Sequence, residues 1–423
     1  MTRVALRGLL GRKLRAALTA VAVVLGVAMI SGTYVLTDTI KSAFGSVFTQ
    51  AFSHADAVIT GRSAIATGNG NGNGPGTPSL PGSLLARVQA LPQVARAAGG
   101  LSDSAQLVGA NGKVISHGGA PGLAFTYSPA DLPFTPLHLA SGNWPGPGEV
   151  DIDASTASKQ HFRLGQQVGV VARGPVAHYR VAGTVKFAGV SSLGGATMTI
   201  FPLATAQTLF GKRGKYDEID ISARPGVSPQ ALVSAISPLL GASAQVKTGQ
   251  AQAQQATKDT SGFLTIFQDF LLAFGGIALF VGSFVIANTL SITIAQRTRE
   301  LATLRTLGAT QRQVLMSVLI EALVIGIVAS VVGLFVGLGL ARGLNSLLVS
   351  FGIDLPQTTT VFKTRTIVVA LVVGVLVTLL AALRPALRST RVPPIAAVRE
   401  GSVLPPSRIA RVSTQTANVI TAA

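Results

Sequence analysis

The 423-residue chain contains no cysteine, which excludes disulfides, zinc–thiolate sites and thiol chemistry. It is also poor in charge: 12% of its residues are charged against 48% hydrophobic, and 16 acids face 34 Lys and Arg. A disordered chain needs the opposite balance, so that class is excluded. No Gly-x-x-x-x-Gly-Lys-Ser/Thr loop is present to cradle a nucleotide phosphate, and no Gly-x-Ser-x-Gly elbow to raise a nucleophile. Work done by this chain must draw its energy from elsewhere. The five histidines, His54, His117, His138, His161 and His178, are scattered without a His-x-x-x-His pair. They read as surface or packing residues rather than metal ligands.

What the chain does have is long uncharged runs. Ala16 to Thr37, Phe270 to Gln296, Ala322 to Ala341 and Thr366 to Leu383 are free of Asp, Glu, Lys and Arg. A bilayer crossing takes about 20 apolar residues. Any one run has a buried core helix as its ordinary explanation, but four in one chain point to a membrane protein. The first run is longer than the core of a cleaved signal peptide and ends in Ser31-Gly32-Thr33-Tyr34 without a clear small-x-small site. A retained anchor is the better reading.

The formal net charge of +18 raises nucleic acid as a partner, and its distribution decides against it. Arg3, Arg7, Arg12, Lys13 and Arg15 precede the first run; Arg297, Arg299, Arg305 and Arg312 lie between the second and third; Arg384, Arg388, Arg391, Arg399, Arg408 and Arg411 follow the fourth. The positive-inside rule places those three segments, both termini included, in the cytoplasm. The stretch from Asp38 to Asp269 then faces outward, with 16 basic and 12 acidic residues. The expected order is a cytoplasmic N-terminus (1–15), helix (16–37), extracytoplasmic α+β domain (38–262), helix (263–296), cytoplasmic coupling helix (297–312), helix (313–341), external loop (342–365), helix (366–384) and cytoplasmic tail (385–423). The fold class is a membrane protein of four transmembrane α-helices, one plus three, in the plasma membrane.

Within the outward domain, the Gly-Asn repeat between Gly61 and Gly82 reads as a flexible loop. Asn111-Gly112 closes a hairpin from Ala105 to Ile115, because the pair tolerates the positive backbone angles of a tight turn. Further strands are expected over 167–172, 179–185, 198–201 and 218–223, and a helix over 229–240 with Ser228 as its N-cap. Glu149, Asp151 and Asp153 alternate as on a strand and put three carboxylates on one face, expected to be solvated rather than cation-binding.

The loop from Arg297 to Gln313 is the most informative segment. Leu301, Leu304 and Leu307, with Arg299, Glu300 and Arg305 among them, describe a short amphipathic helix ending near Gly308. A basic interfacial helix that only holds topology explains the charge, and a lever pressed by a partner explains it as well. In the third expected helix (313–341), Glu321 is the sole ionisable residue, for which helix contact and substrate contact both stay open. Ala329, Gly333 and Gly337, and again Gly339 and Gly343, are four apart and form a groove for a neighbouring helix. Pro385 marks a helix end or a kink.

The segment Arg299-Glu300-Leu301-Ala302-Thr303-Leu304-Arg305-Thr306-Leu307-Gly308-Ala309-Thr310 resembles the coupling segment of the FtsX-like permease family, of the MacB and LolC/LolE type. The tail from Arg384 through Pro393-Pro394 to Glu400 is similar to that family's ending. Gly142 through Val150 and Leu164 through Val168 look like its ectodomain elements, with Gln166 in place of the usual acid. The resemblance implies a non-catalytic permease subunit with no cofactor of its own. It implies an ABC ATPase subunit holding ATP-Mg and docking on residues 299–308, membrane lipid around the helices, and a homodimer or second permease subunit. It further implies mechanotransmission to the outward domain, with an amphipathic or lipophilic substrate exported or extracted. Relatives carry a second membrane repeat, for which residues 401–423 are too short, so the chain is expected to dimerise or to be a partial version. Two other readings stand beside transport: a signalling subunit that regulates a cell-wall hydrolase or senses a peptide, and an inert anchor.

Overall fold

The structure is a computed structural model that describes residues 13–62, 78–109, 111–116, 119–296, 303, 306, 308–351, 354 and 360–390. The described chain divides into two compact units: one drawn from Met1–Thr33, Leu271–Leu340 and Thr364–Ala423, the other from Tyr34–Phe270 and Ala341–Lys363.

Four helices are long and apolar enough to cross a bilayer. They lie in α1 (Lys13–Ala51), α6 (Gly249–Gln296), α7 (Gln311–Ser350) and α8 (Thr364–Thr390). Each outruns its uncharged sequence run. α1 continues beyond Thr37 and α6 starts before residue 263, because straight-chain polar residues such as Lys41, Gln254 and Lys258 propagate a helix as readily as apolar ones. α8 passes through Pro385, which sits inside the helix instead of ending it.

In the helical unit, Val23, Val27, Ile286, Leu290, Ala322, Ala329 and Ala370 form the shared core. The large side chains point the other way. Phe280 and Phe284 are 75% and 73% exposed, which a helix tolerates when its solvent is hydrocarbon.

The second unit is α+β. Its smaller sheet has strand order β14-β1-β13-β3, from Ala244–Thr248, Ala57–Gly61, Glu218–Ala223 and Val94–Gly100, antiparallel throughout. Alternation decides the faces. Ile219 and Ile221 enter a core with Leu84 and Val88 of α2 (Gly82–Gln89) and Leu232 and Ile236 of α5 (Pro229–Ile236). Glu218 and Asp220 take the opposite face. Ser228 caps α5 by accepting the Ala231 N–H at 3.2 Å, with Pro229 at the first helical position.

The larger sheet runs β4-β6-β11-β8-β10-β9-β5, that is Ser102–Ser104, Gly122–Tyr127, Thr197–Pro202, Glu149–Asp153, Ala177–Phe187, Gln167–Val171 and Gln106–Val108, with β7 (Leu137–Gly142) added on β10. It is mixed: β6 with β11 and β8 with β10 are parallel. Val150, Ile152, Val168, Val170, Phe201 and Phe210 fill one face. Val185, Phe187, Met198 and Ile200 fill the other, under Val47 and Ala51 at the end of α1. The Asn111-Gly112 turn forms with Gly112 at φ +71°, and Ile115 N–H donates to Leu107 O at 2.8 Å. Residues 63–77, the Gly-Asn repeat, lie outside the described residues.

Candidate functional site

Of the coupling segment, Arg299, Glu300, Leu301, Leu304, Arg305 and Leu307 lie outside the described residues. Gly308 is described and adopts φ +101°, the left-handed conformation that closes a helix. α7 then opens with a reciprocal cap. Thr310 Oγ1 accepts the Gln313 N–H at 3.3 Å and Gln313 Oε1 accepts the Thr310 N–H at 2.9 Å. The Thr-x-x-Gln signal for this boundary stands openly in the sequence, where the expected coupling helix ran on to 312.

Within the helical unit, α1 is the axis on which the others pack. Toward α7, a Cβ at Gly333 would fall 2.9 Å from Val27 Cβ and 3.0 Å from Val24 O. A Cβ at Gly337 would fall 2.7 Å from Ala28 O and 2.9 Å from Gly32 N. Such separations leave no room for any side chain. Ala329 is 1% exposed in the same groove, and Ser31 Oγ donates to Gly333 O at 3.4 Å across it. Gly339 and Gly343, with the same spacing, have nothing within 4 Å and take no part. Toward α6, α1 presents Gly26 to Leu279 and Ala22 to Gly282, where a Cβ would fall 3.1 Å from Ala22 O. Glu321 is half-buried on α7, one residue before the core residue Ala322.

The α+β unit holds its own polar contacts. Lys41 of α1 donates to Thr265 Oγ1 at 3.2 Å and Gln268 Oε1 at 3.3 Å on α6, tying the two helices side by side. The segment between α7 and α8 is clipped at two points. Lys363 pairs with the buried Asp38 at 3.2 Å, and Asp354 pairs with Lys159 at 2.5 Å while accepting from Ser155 Oγ at 3.2 Å. Lys159 and Ser155 belong to α3 (Ala154–Lys159).

The acidic strand differs from the expected solvated face. Asp151 and Asp153 are both 0% exposed. Asp153 is structural: its carboxylate caps α3 by accepting the Thr156 N–H at 2.7 Å and accepts the Met198 N–H at 2.9 Å, while burial still pushes its pKa up. Neither oxygen of Asp151 holds a hydrogen bond of normal geometry. Burial pushes its pKa up to about 7, with Gly183 N–H opposing and Glu149 adding to the rise. Period-2 alternation placed the three carboxylates together correctly; the layer covering them is tertiary. Glu149 alone is near solvent, paired with Arg180 at 2.7 Å and held low by the Gly146 N–H. Gln166 accepts the Arg163 N–H at 3.1 Å, so that turn needs an acceptor and not a charge. Among the described residues no three His, Asp or Glu side chains gather as metal ligands, and His117 is outside them.

The MacB-like periplasmic core domain model matches residues 16–239, more than half of the chain, and the FtsX-like permease C-terminal model matches residues 272–394. The chain belongs to the ABC transporter permeases of the MacB/FtsX type. With four apolar helices, this permease is a multi-pass membrane protein. It is similar to an uncharacterized ABC transporter permease protein of Mycobacterium tuberculosis, 26% identical over 264 residues that cover 61% of this chain and 30% of that protein. It is also similar to an uncharacterized ABC transporter permease of Methanocaldococcus jannaschii, 27% identical over 117 residues, covering 27% of this chain and 29% of the other. The matched stretch thus spans under a third of the length of either relative. Among solved structures it is similar to the periplasmic region of MacB from Actinobacillus actinomycetemcomitans, at 14% identity and TM-score 0.36, covering 48% of this chain and 94% of that one. The extracellular domain of the noncanonic ABC-type transporter YknZ from Gram-positive bacteria is similar at 14% identity and TM-score 0.33, covering 45% and 98%.

Proposed function

We propose that this permease is a non-catalytic membrane subunit that couples a separate ABC ATPase to movement of its α+β domain. The α+β domain lies outside the cell and both termini lie in the cytoplasm, in line with the basic residues flanking the helices. The observation that carries the reading is the continuity of α1 and α6. Each is one unbroken helix, of 39 and 48 residues, that begins or ends in the α+β unit and contains a membrane-length run. A helix transmits axial and lateral displacement with little loss because its backbone hydrogen bonds are satisfied internally.

In this reading the ATPase docks on residues 299–308, holds ATP-Mg, and displaces the helices as it closes. A homodimer or a second permease subunit completes the machine. The cargo is amphipathic or lipophilic, consistent with a helical unit surrounded by membrane lipid and a chain without a charged translocation path among its described helices. Co-purification with the ATPase tests it. Leu304→Asp and Arg305→Glu should abolish ATPase capture and stimulated turnover; retention of both would remove the coupling role. ATP-dependent movement of a lipophilic probe in vesicles separates transport from signalling, which requires only a shape change in the α+β domain.

A further inference from the structure

The face that joins the two sheets of the α+β domain carries a cluster that plays no part in the reading above. Strand β13 turns Ile219 and Ile221 into one core and presents Glu218 and Asp220 on its other side. That side is covered by the loop joining β6 to β7. Phe134 of this loop packs with Val58 of β1 and Ala98 of β3, beside Phe52 and Ala55. The same loop carries Asp131, 8% exposed and three residues before Phe134, whose neighbours Val58 and Ala98 flank Asp220, and the Asp131 charge acts on both β13 carboxyl groups. Three carboxyl groups, two from the small sheet and one from a loop of the large sheet, therefore meet where the sheets join.

Among the described residues no ion pair reaches them; Arg96 of β3 stands beside Ser222, the next position on that face after Asp220, and is exposed. The strand register sets Gly100 and Thr60 beside Glu218, and Ala98 and Val58 beside Asp220. The loop from Pro129 to Pro136 carries no Lys or Arg. The nearest cation, Lys212, is committed at 2.7 Å to Asp217 and at 2.9 Å to Asp103, whose other partner is Arg173 at 3.2 Å. Asp217 is further held by Ser79 Oγ at 2.7 Å and adds its own charge to Glu218. Lys247 lies in the same cross-strand row as Val58 and Asp220, but it is depressed by burial and answers to Asp259 and Arg62. At the far end of β13, Asp56 accepts the Ala223 N–H at 2.8 Å, and His54 is exposed in the adjoining turn. Among the described residues no metal-ligand group forms. What remains to neutralise the cluster is the proton.

We infer that Asp131, Glu218 and Asp220 form a proton-dependent latch between the two sheets, closed while the three share protons and loosened when all three ionise. Glu218 and Asp220 stand two residues apart on one face of β13, and Asp220 Oδ1 is buried without a hydrogen-bond partner, so a proton held by the pair relieves both. Loss of hydration is the largest cause in all three and raises Asp131 to about 6; the charges of Asp131 and Asp217 add to it at Glu218, which rises to about 7, and those of Glu218 and Asp131 add to it at Asp220, which lies well above its usual range. The sign follows from linkage. Acids raised on folding bind more protons in the closed state, so the latch is at full strength below about pH 4 and is lost as pH rises through 6 to 7. For each proton held only in the closed state, opening grows about tenfold per pH unit between the ordinary carboxylate value near about 4 and the raised folded value, and levels off above it.

The inference is independent of ATPase coupling, and the full chain in nanodiscs without any partner suffices to test it. Because the chain has no native cysteine, Lys113→Cys in the large-sheet hairpin and Ser234→Cys on α5 can carry a spin-label pair. The interlabel distance distribution should be narrow at pH 5 and broaden toward longer distances at pH 8.5. Glu218→Gln combined with Asp220→Asn should leave it narrow at both values, and Asp131→Asn alone should move the transition upward in pH. A wild-type distribution that ignores pH overturns the latch, and so does a shift that survives unchanged in the double variant. If the double variant does not fold, Asp131→Asn decides: an unmoved transition overturns the latch.

Discussion

The helical unit and the α+β unit place their large side chains in opposite directions. Phe280 and Phe284 of α6 are 75% and 73% exposed, whereas Phe201 of the large sheet and Phe210, packed in the same core, are 0% and 1% exposed. In water, burying an aromatic ring is itself the driving force. In hydrocarbon that force vanishes, and what holds helices together is close approach between small residues. The two units follow these different rules within one polypeptide. Gly333 and Gly337 approach α1 so closely that neither position has room for a side chain, while Ile152, Val170 and Phe201 pack in one hydrophobic core. Polar groups differ accordingly. In the α+β unit, Asp151 is fully buried and Glu218 and Asp220 are half-buried, and protonation relieves all three.

The comparison is sharpest at its largest side chains. Phe201→Ala should cost about 3–5 kcal/mol of α+β-unit stability, as for a fully buried ring, while Phe284→Ala should cost under about 1 kcal/mol. Thermal unfolding of the full chain in detergent measures both, and equal losses would break the contrast. Next comes Gly337→Leu. Its side chain would collide with the backbone of Ala28 and Gly32, so the helical unit should lose about 3 kcal/mol, the upper end of overpacking. Gly339→Leu, two residues away and facing open space, should change stability by less than about 0.5 kcal/mol. Protease resistance of the detergent-solubilised helices distinguishes the two.

The third prediction concerns pH. Asp151 is raised from 3.8 to about 7, so its folded state holds a proton that the unfolded chain releases. Its contribution is therefore complete below about pH 4 and is lost as pH rises to about 7, at about 1.4 kcal/mol per unit within that window. Asp151→Asn should flatten the pH profile of unfolding and be more stable than wild type at pH 8; an unchanged slope would count against the buried carboxyl. A small gain is expected at Ser330, whose buried hydroxyl lacks a hydrogen-bond partner among the described residues. Ser330→Ala should raise helical-unit stability by about 1 kcal/mol, measured by the same melt.

Much of the local structure was legible. Strand β13 begins with its Glu-Ile-Asp-Ile alternation and runs to Ala223, as expected, Asn111-Gly112 turns the hairpin, and Ser228-Pro229 starts α5. These are short-range signals, each set by neighbours within a few residues. The Thr310–Gln313 cap was equally short-range and went unread beside the leucine spacing of the preceding loop. Contacts between distant segments carry no such mark. Gly337 and Gly339 look alike in the sequence, and only the rotation of α7 against α1 makes one essential and leaves the other free. The clip of Asp354 on Lys159 joins residues 195 positions apart by numbering, with no periodic pattern to announce it.

Charge-free runs and the imbalance of arginine around them determined by themselves that this chain enters a membrane and that one domain between the first two runs folds in water. Solvent preference is additive along a segment, so composition suffices to report it. Which face of Glu149–Asp153 is covered, which glycines touch, and that three carboxyl groups from two sheets share one interior were decided only by the tertiary structure. Those outcomes depend on what arrives from elsewhere in the chain, and burial, unlike hydropathy, is a property of the neighbours rather than of the residue.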